Sequence, residues 1–321
     1  MMSKRKVLIT GGMGYVGGRV AQTLAARGDL DIVLGSRQTQ DSPAWLPNAR
    51  VAAMDWGSQQ SLSDVCNGVD VILHLAAMNE IDCARDPVGA LESNGVCSVR
   101  LLEAAKAEGV TCFVYLSTAH VYGAPLAGHI DENTLPRPRH PYASSHRAAE
   151  DTVLAANDDG KLTGVVLRLS NGFGVPVHPD VNRWTLLVND LCRQAATNRC
   201  LSLRSSGLQR RDFVTLHDVG RAFSHVIDMP KELVGNGIFN VGGAWAPRII
   251  DMAELVQARC SAVLGFTPEI VCPKPEPSEV SLELDYCIDK LLATGFTLTG
   301  DPMQEIDATL RLCRDVYGDA R

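Results

Sequence analysis

The sequence lacks any apolar run long enough to cross a membrane or to act as a secretion signal. A membrane-spanning helix needs about 20 consecutive apolar residues, and no stretch of the 321 residues approaches that length. Near the start, the charged segment MMSKRK is followed only by Val7, Leu8 and Ile9, which is too short for the apolar region of a signal peptide. These absences predict a cytoplasmic protein with no membrane partner.

Paired cysteines and blocks of basic residues are absent as well. The 10 cysteines include no C-x-x-C pair and no Cys/His cluster at zinc-finger spacing, so we expect reduced thiols and no bound metal. The 30 Lys and Arg residues against 37 Asp and Glu give a net charge of −7. Because no basic block is available to meet phosphates, we expect no nucleic-acid partner. A phosphate-loop NTPase is excluded because the sequence has no G-x-x-x-x-G-K-[ST] string.

What the sequence does contain is a regular alternation of strand-like and helix-like segments in its first half. The predicted strands are Lys6–Thr10, Asp31–Leu34, Val69–Leu73, Cys112–Leu116 and Gly164–Leu169, and the predicted helices include Val16–Arg27, Ala90–Glu108 and Ser144–Ala156. Such alternation is typical of a parallel sheet covered by helices on both faces. The sequence therefore predicts an α/β fold with a doubly wound parallel sheet.

The pattern changes after Gly174, where a proline-bearing loop leads into a predicted helix at Trp184–Thr197. A further helix is predicted near Asp251–Leu264, before the proline-rich stretch Pro268–Pro277. We assign residues 1–174 to a dinucleotide-binding domain, to which residues 212–243 return. Residues 175–211 and 244–321 are assigned to a smaller, mostly C-terminal substrate-binding lobe.

Glycines three residues apart mark the turn after the first predicted strand. This predicted cofactor loop consists of Gly11, Gly12, Met13, Gly14, Tyr15, Val16 and Gly17. Glycine permits the tight turn and lets backbone N–H groups approach a pyrophosphate. The helix that begins there adds a partial positive charge. With a strand before it and a helix after it, the loop predicts dinucleotide binding in a Rossmann-type fold.

The end of the second predicted strand has no acidic residue. An acid there would bind the ribose 2′-hydroxyl of NAD, whereas an arginine accommodates the 2′-phosphate of NADP. This sequence has Ser36 and Arg37 at that place. They favour NADP, with NAD as the alternative in which Arg37 is only a solvated charge stacked on the adenine.

Nine short motifs in a fixed order resemble the extended short-chain dehydrogenase/reductase family of nucleotide-sugar epimerases, dehydratases and reductases. They are the glycine loop, Asp55-Trp56, His74-Leu75-Ala76-Ala77, Asn94, Ser117-Thr118-Ala119-His120-Val121-Tyr122-Gly123, Pro141-Tyr142-Ala143-Ser144-Ser145-His146, Arg168-Leu169-Ser170-Asn171-Gly172-Phe173-Gly174, Arg210-Arg211-Asp212-Phe213-Val214 and Asn240-Val241-Gly242. The resemblance covers nearly the whole chain. It implies a nucleotide-sugar substrate and a homodimer.

The resemblance also implies roles for residues that match its motifs. The cofactor contacts would be Asp55 and Trp56 beside the adenine, Leu75, Ala76 and Ala77 along the phosphates and ribose, and Asn94, Ser117, Tyr142 and His146. The substrate contacts would be Thr118, His120, Asn171 and Arg211, of which Asn171 and Arg211 hold the diphosphate. In the homodimer, the helices Ala90–Glu108 and Ser144–Ala156 would pair across a two-fold axis, with Leu101, Val153 and Leu154 as candidate contacts.

In the family's chemistry a tyrosine removes or returns a hydroxyl proton while hydride moves to or from the nicotinamide. Tyr142 would be this catalytic acid and base, and Thr118 would hydrogen-bond the reacting oxygen. A tyrosine acts as a base only if its pKa falls from about 10, and a neighbouring cation lowers it. The family provides a lysine four residues after the tyrosine, one helical turn on.

In this chain His146 occupies the lysine position, and an ordinary histidine is mostly neutral at pH 7. Three interpretations follow. His146 is a weaker or pH-dependent substitute, or another residue supplies the charge for a specialised reaction. In the third, the protein binds cofactor without turnover, as a sensing or regulatory protein.

The choice of reaction is narrowed by the residues after Thr118. Dehydratases of the family carry an aspartate and a glutamate there, and this chain has Ala119 and His120. Alanine has no acid–base function, so 4,6-dehydration of the common type is disfavoured. Epimerisation and ketone reduction remain, and the Ser36-Arg37 pair tilts the choice slightly toward an NADPH-dependent reductase.

Overall fold

The structure is a computed structural model that describes residues 4–318. Residues 1–3 and 319–321 lie outside the described residues. Residues 1–3 begin the charged N-terminal segment and the predicted dinucleotide-binding domain, and residues 319–321 end the predicted substrate-binding lobe.

Strands and helices alternate along the described chain. The strands are β1 (Arg5–Thr10), β2 (Leu30–Ser36), β3 (Arg50–Ala53), β4 (Val71–His74), β5 (Cys112–Thr118), β6 (Gly128–Ile130), β7 (Thr163–Leu169), β8 (Asn171–Phe173), β9 (Cys200–Ser202), β10 (Phe213–Thr215), β11 (Ile238–Val241), β12 (Glu269–Val271) and β13 (Leu284–Tyr286). The helices are α1 (Tyr15–Ala25), α2 (Gln59–Cys66), α3 (Glu80–Arg85), α4 (Pro87–Ala90), α5 (Cys97–Ala107), α6 (Pro141–Asp158), α7 (Leu187–Asn198), α8 (Leu216–Val226), α9 (Lys231–Val234), α10 (Ile249–Leu264), α11 (Asp289–Leu292) and α12 (Pro302–Tyr317). A π-helical segment, Leu91–Val96, joins α4 to α5, and a 3₁₀ turn, Ala119–Tyr122, follows β5.

Seven strands form one parallel sheet in the order β3-β2-β1-β4-β5-β7-β11. The chain runs outward from β1 to β3 and then crosses to β4, so the strand order reverses between β1 and β4. In open α/β sheets ligands bind at such a switch point, beyond the carboxyl ends of the strands. The predicted α/β class with a Rossmann-type parallel sheet is confirmed.

The five strands predicted from β-branched runs all lie in this sheet, with ends shifted by at most a few residues. Residues 212–243 divide between two places. β11 joins the main sheet beside β7. β10, however, pairs with β8 outside the seven-stranded sheet, and α8 packs against α1.

Two apolar layers cover the sheet because successive side chains of a strand point to opposite faces. Val7 and Ile9 of β1 lie in the layer under α1 and α8. Leu8, between them, lies in the layer under α2, α5 and α6. A third apolar cluster forms the core of the smaller lobe, between α7, α10 and α12. No helix within residues 4–318 has the length and apolar character needed to cross a membrane.

A buried ion pair fixes α6 to the sheet. Arg168 of β7 is 1% exposed and Glu150 of α6 is fully buried. The guanidinium holds the carboxylate with two bonds, Nε to Oε1 at 3.0 Å and Nη2 to Oε2 at 2.7 Å. Ser117, at the end of β5, donates to the same carboxylate at 2.5 Å. Through Glu150 this network sets the distance between α6 and the carboxyl ends of β5 and β7.

Candidate active site

A cavity of about 1580 Å³ lies beyond the carboxyl ends of β1, β2, β4, β5 and β7 and is closed on its other side by the smaller lobe. Most residues predicted for the site line this cavity: Gly11, Met13, Gly14, Tyr15, Val16, Gly17, Ser36, Arg37, Trp56, Leu75, Ala76, Ala77, Ser117, Thr118, His120, Tyr142, His146, Asn171 and Arg211. The cavity is large enough for a dinucleotide and a second ligand, since drug-sized pockets measure about 300–1,000 Å³.

The glycine loop is shaped by close backbone contacts. Gly11 has a φ of +67°, and a Cβ there would lie 2.8 Å from the amide nitrogen of Ala76. A Cβ on Gly17 would lie 2.2 Å from the carbonyl oxygen of Gly11. Gly14 begins α1 with no side-chain cap in the described structure. The first amides of α1 are therefore left for a phosphate, which fits a dinucleotide.

Tyr15 connects the cofactor loop to the smaller lobe. Its hydroxyl donates to the carbonyl of Gly174 at 2.8 Å and lies 3.1 Å from Oδ1 of Asn189 on α7. The amide nitrogen of Asn189 in turn donates to the backbone oxygen of Arg183. The hydroxyl of Tyr15 thus links the cofactor loop to Gly174 and to α7.

Ser36 and Arg37 lie at the end of β2 and line the cavity. The hydroxyl of Ser36 accepts hydrogen bonds from the backbone of Gln38 at 3.1 Å and from the side chain of Gln40 at 2.7 Å. Arg37 is exposed. This arrangement leaves the guanidinium available to a phosphate group.

Three predicted cofactor residues, Gly12, Asp55 and Asn94, do not line the cavity. Gly12 is buried, and a Cβ there would lie 2.7 Å from the side chain of Leu34. The carboxylate of Asp55 accepts a bond from the backbone of Gly57 at 2.9 Å. These two residues shape the backbone around the cavity and form no part of its wall.

Asn94 is fully buried in the π-helical segment. Its side chain accepts from the Met78 backbone at 2.7 Å and donates to the Ser145 hydroxyl at 3.0 Å. Asn94 therefore does not line the cavity, and its hydrogen bonds join the segment after β4 to α6.

Thr118 and Tyr142 reach the cavity from two different elements. Thr118 ends β5 and accepts a bond from the backbone of His120 at 3.2 Å. Tyr142 lies in the first turn of α6, which begins at Pro141 and is capped by His140. Burial raises the pKa of Tyr142 to about 12, the charge of Glu80 adds to the rise, and Arg183 and the Thr118 hydroxyl lower it. The phenol is therefore protonated at neutral pH.

His146 lies one turn after Tyr142, with its ring 4.5 Å from the tyrosine ring. Its Nδ1 is 2.7 Å from the hydroxyl of Tyr115, and its Nε2 is buried with no partner in the described chain. Burial lowers the pKa of His146 to about 3, with further lowering from His74 and His120. The imidazole stays neutral across the physiological range, so pH-dependent charging near neutrality is not what replaces the lysine.

Four charged residues that line the cavity were not predicted from the sequence: Glu80, Asp82, Glu92 and Arg183. Glu80 begins α3 just after β4, and Arg183 lies in the irregular segment before α7; both line the cavity. Neither belongs to a periodic pattern or a motif, and only the position of Asn79 as a helix cap signalled that a helix begins at the sheet edge. The charge of Arg183 lowers the pKa of Tyr142, although burial and Glu80 outweigh it.

Asn171 and Arg211 lie next to a set of hydrogen bonds formed by the buried Asp212. The side-chain nitrogen of Asn171 donates to the backbone oxygen of Asp212 at 2.8 Å. The Asp212 carboxylate accepts from the Ser170 hydroxyl at 2.5 Å and from the amides of Gly243 and Trp245. These bonds hold Asn171 at the cavity wall, together with Arg211, which directly precedes Asp212 in the chain. Burial lowers the pKa of Arg211, and the charge of Glu80 opposes that change.

The fold and the cavity together define a Rossmann-type protein with a glycine loop at one end of its cavity and a second lobe at the other. A family model described as "NAD dependent epimerase/dehydratase family" matches residues 7–242. The chain belongs to this family, which confirms the resemblance seen in its motifs.

Individual relatives differ in their reactions. The chain is 29% identical over 268 residues to a dTDP-D-glucose 4,6-dehydratase of Mus musculus, covering 79% of this chain and 72% of that protein. A UDP-glucose 4-epimerase of Thermus thermophilus in complex with NAD superposes with a TM-score of 0.79 at 24% identity, covering 97% of this chain and 99% of the other. RMD from Pseudomonas aeruginosa in complex with NADPH gives a TM-score of 0.76 at 23% identity, with coverages of 97% and 99%.

Proposed function

We propose that the protein is an NAD(P)-dependent enzyme that epimerises a nucleotide-linked sugar at C4 or reduces its 4-keto form, with Tyr142 as the acid and base. The observation that carries this proposal is the placement of Thr118 and Tyr142 in one cavity between the glycine loop and Arg211. The glycine loop fits the phosphates of a dinucleotide. Arg211 and Asn171 fit the diphosphate of the substrate.

A bound nicotinamide dinucleotide would supply the hydride donor or acceptor. Tyr142 would hold or release a proton at its Oη, and Thr118 would hydrogen-bond the reacting sugar oxygen. With a pKa of about 12, Tyr142 is almost entirely in its protonated form at neutral pH, and the phenolate needed as a base is scarce. This favours 4-keto reduction, in which the phenol gives its proton away, over epimerisation, in which it must also remove one.

Dehydration of the common type lacks its acid pair, because Ala119 and His120 occupy those positions. A cofactor-sensing protein without turnover is the second candidate, and the neutral His146 is what favours it.

Mass spectrometry of the nucleotide released from purified protein distinguishes an epimerase from a reductase. NAD that co-purifies favours an epimerase, whereas an empty site that takes up NADPH favours a reductase. A protein that binds dinucleotide yet converts no nucleotide sugar favours the sensor.

We propose NADP as the preferred cofactor, supported by the exposed Arg37 at the cavity wall. Arg37→Asp should weaken NADP binding far more than NAD binding, because it removes a phosphate partner and adds a repelling carboxylate. The loss should be roughly 1.5–3 kcal/mol, measured by calorimetric titration of both nucleotides. Arg50→Asp, an exposed charge reversal at the start of β3, is the matched control. A tenfold preference of the unmodified protein for NAD would show the Ser36-Arg37 argument to be wrong.

His146→Lys should restore a fixed cation beside Tyr142 and lower its apparent pKa. In the oxidative direction the phenolate is the active form, so the rate rises with pH until the pKa is passed. Lowering the pKa therefore shifts the pH–rate profile to lower pH, by about one unit or more, which corresponds to about 1.4 kcal/mol. His217→Lys, on the exposed face of α8, adds the same charge elsewhere and should leave the profile in place. An unchanged profile in His146→Lys would exclude electrostatic coupling between the two positions.

The homodimer remains a prediction, with a changed set of candidate contacts. Leu101 and Val153 are buried in the core of the protein itself and are not available to a partner, and Leu154 is partly buried against the same core. The exposed apolar residues on this side are Val88, Leu91 and Val96, in α4 and the π-helical segment. We propose that these residues, rather than the buried ones, form the contact. The cytoplasmic location likewise remains a prediction.

A further inference from the structure

Tyr115 lies beneath the cavity and contacts His146 without lining the cavity itself. It belongs to β5, three residues before Thr118, and is 1% exposed. Its ring centre is 5.6 Å from that of His146, and its hydroxyl oxygen is 2.7 Å from Nδ1. Sequence spacing along one helix or strand could not have predicted this contact, because Tyr115 lies on β5 and His146 lies on α6.

The direction of this hydrogen bond depends on the tautomer of His146. A phenol carries one hydrogen to donate, and within residues 4–318 the Nδ1 atom of His146 is the hydrogen-bond partner of the Tyr115 hydroxyl. Burial raises the pKa of Tyr115 well above its usual value, so the hydroxyl keeps its hydrogen. The hydroxyl can therefore donate to Nδ1, which accepts. In a neutral imidazole the proton then resides on Nε2.

The Nε2 atom is a donor that has no acceptor in the described protein. It is buried, and His146, itself 2% exposed, is part of the cavity wall. A buried N–H group without an acceptor costs free energy, so a ligand that offers an oxygen there gains a hydrogen bond with little competition from water.

We propose that Tyr115 is a positioning residue that holds His146 as the neutral Nε2–H tautomer and aims this donor at a ribose oxygen of the dinucleotide. The inference rests on the proposed function for the identity of the ligand. In this arrangement His146 supplies a hydrogen bond without charge, and Arg183, which also lines the cavity, is a cation whose charge lowers the pKa of Tyr142.

Within residues 4–318, no carboxylate is in hydrogen-bond contact with the His146 ring. The titratable groups facing it are Tyr115 on β5, His74 on β4, Tyr142 on its own helix and His120 in the turn after β5. Glu150, one turn further along α6, is bonded to Arg168, Arg147 and Ser117. The hydrogen bond to the dinucleotide should therefore be unaffected by pH between about 5 and 8, the range over which an ordinary histidine titrates.

Two variants separate positioning from packing. Tyr115→Phe keeps the ring and removes the donor to Nδ1. His146→Gln keeps both functions, because the amide oxygen accepts from Tyr115 while the amide nitrogen donates toward the cavity. His146→Leu removes both. Tyr317→Phe, which removes a phenol hydroxyl from the distant α12, is the control for the loss of a hydroxyl as such.

The test is ¹⁵N NMR of protein labelled at its 8 histidines, with the His146 signals identified by their absence in His146→Gln. We expect the Nε2–H tautomer in the unmodified protein, without titration near pH 6.5, and a mixed or altered tautomer in Tyr115→Phe. Dinucleotide affinity should fall roughly threefold to tenfold in Tyr115→Phe and His146→Leu, fall less in His146→Gln than in His146→Leu, and remain close to that of the unmodified protein in Tyr317→Phe.

An Nδ1–H tautomer, a titration near pH 6.5, or an unchanged tautomer and affinity in Tyr115→Phe would each overturn the inference. The tautomer is measured without turnover, so its outcome is separate from that of the proposed function. Normal turnover of Tyr142→Phe would remove the proposed chemistry and leave the tautomer result standing.

Discussion

Replacing Tyr142 with phenylalanine should reduce turnover of a nucleotide-linked sugar about 100-fold to 10,000-fold, the usual contribution of a positioned acid or base. The ring that packs at 4.5 Å against His146 is kept, and only the hydroxyl that exchanges the proton is lost. Dinucleotide affinity should therefore stay nearly unchanged. The measurements are the steady-state rate with a panel of nucleotide sugars and their 4-keto derivatives, and a parallel titration of the dinucleotide.

Tyr317→Phe controls for the removal of a phenol hydroxyl outside the cavity and should retain the full rate. If Tyr142→Phe turns over like the unmodified protein, Tyr142 is not the acid and base and the proposed site is wrong. If both proteins bind dinucleotide and neither converts a sugar, the sensing protein becomes the better interpretation.

The second large effect concerns stability. Arg168→Met should lower the free energy of unfolding by about 3–5 kcal/mol, because it leaves a buried carboxylate without its principal counter-charge. Glu150 is fully buried and is held by two bonds from Arg168, while Arg147 reaches it only with one bond of 3.2 Å. Equilibrium denaturation in urea measures the change.

Two comparisons make this prediction specific. Arg85→Met removes an exposed ion pair whose arginine side chain is 76% exposed and should cost less than about 1 kcal/mol. Combining Arg168→Met with Glu150→Leu should recover much of the loss, since no charge is then left buried. A mild effect of Arg168→Met, equal to that of Arg85→Met, would contradict the importance of the buried pair.

The parts of the fold that could be predicted are those with a local physical signal. Runs such as Cys112–Leu116 are apolar throughout because a strand of a covered parallel sheet is buried on both faces. The glycine loop was predictable because Gly11 and Gly17 occupy places where a side chain would collide with backbone. Short pairings such as β6 with β13, between segments far apart in sequence, carry no such signal.

Site residues that belong to a motif could be predicted from the sequence. Residues that only the three-dimensional fold brings to the cavity could not. Glu80 and Arg183 reach the cavity from a helix start and an irregular segment, and their influence on Tyr142 depends on folding. Asn94 stands at a motif position, yet its side chain bonds to Met78 and Ser145 inside the protein. Its place on a helix could be predicted, but the π-helical turn that directs it inward could not.

The sequence shows that His146 replaces the family's lysine, and the structure shows what surrounds this histidine. The departure from the family's lysine was visible at once, and three interpretations followed from it. Burial and the bond to Tyr115 favour a neutral donor, while Arg183 favours the interpretation in which another residue supplies the charge. Because Tyr115 and His146 are joined only through the packing of β5 against α6, this pairing had no signature in the sequence.

Transfer of deuterium tests the central claim, hydride exchange at a nucleotide sugar with Tyr142 as proton donor, most directly. The protein is incubated with nucleotide-linked 4-keto sugars and with NADH or NADPH deuterated on one face of nicotinamide C4, and the product is examined by mass spectrometry and NMR. The account predicts one deuterium at C4 of the sugar, from one face of the nicotinamide, and a rate that falls at least about 100-fold in Tyr142→Phe. A product without deuterium at C4 would contradict 4-keto reduction, and transfer undiminished in Tyr142→Phe would contradict the role of Tyr142.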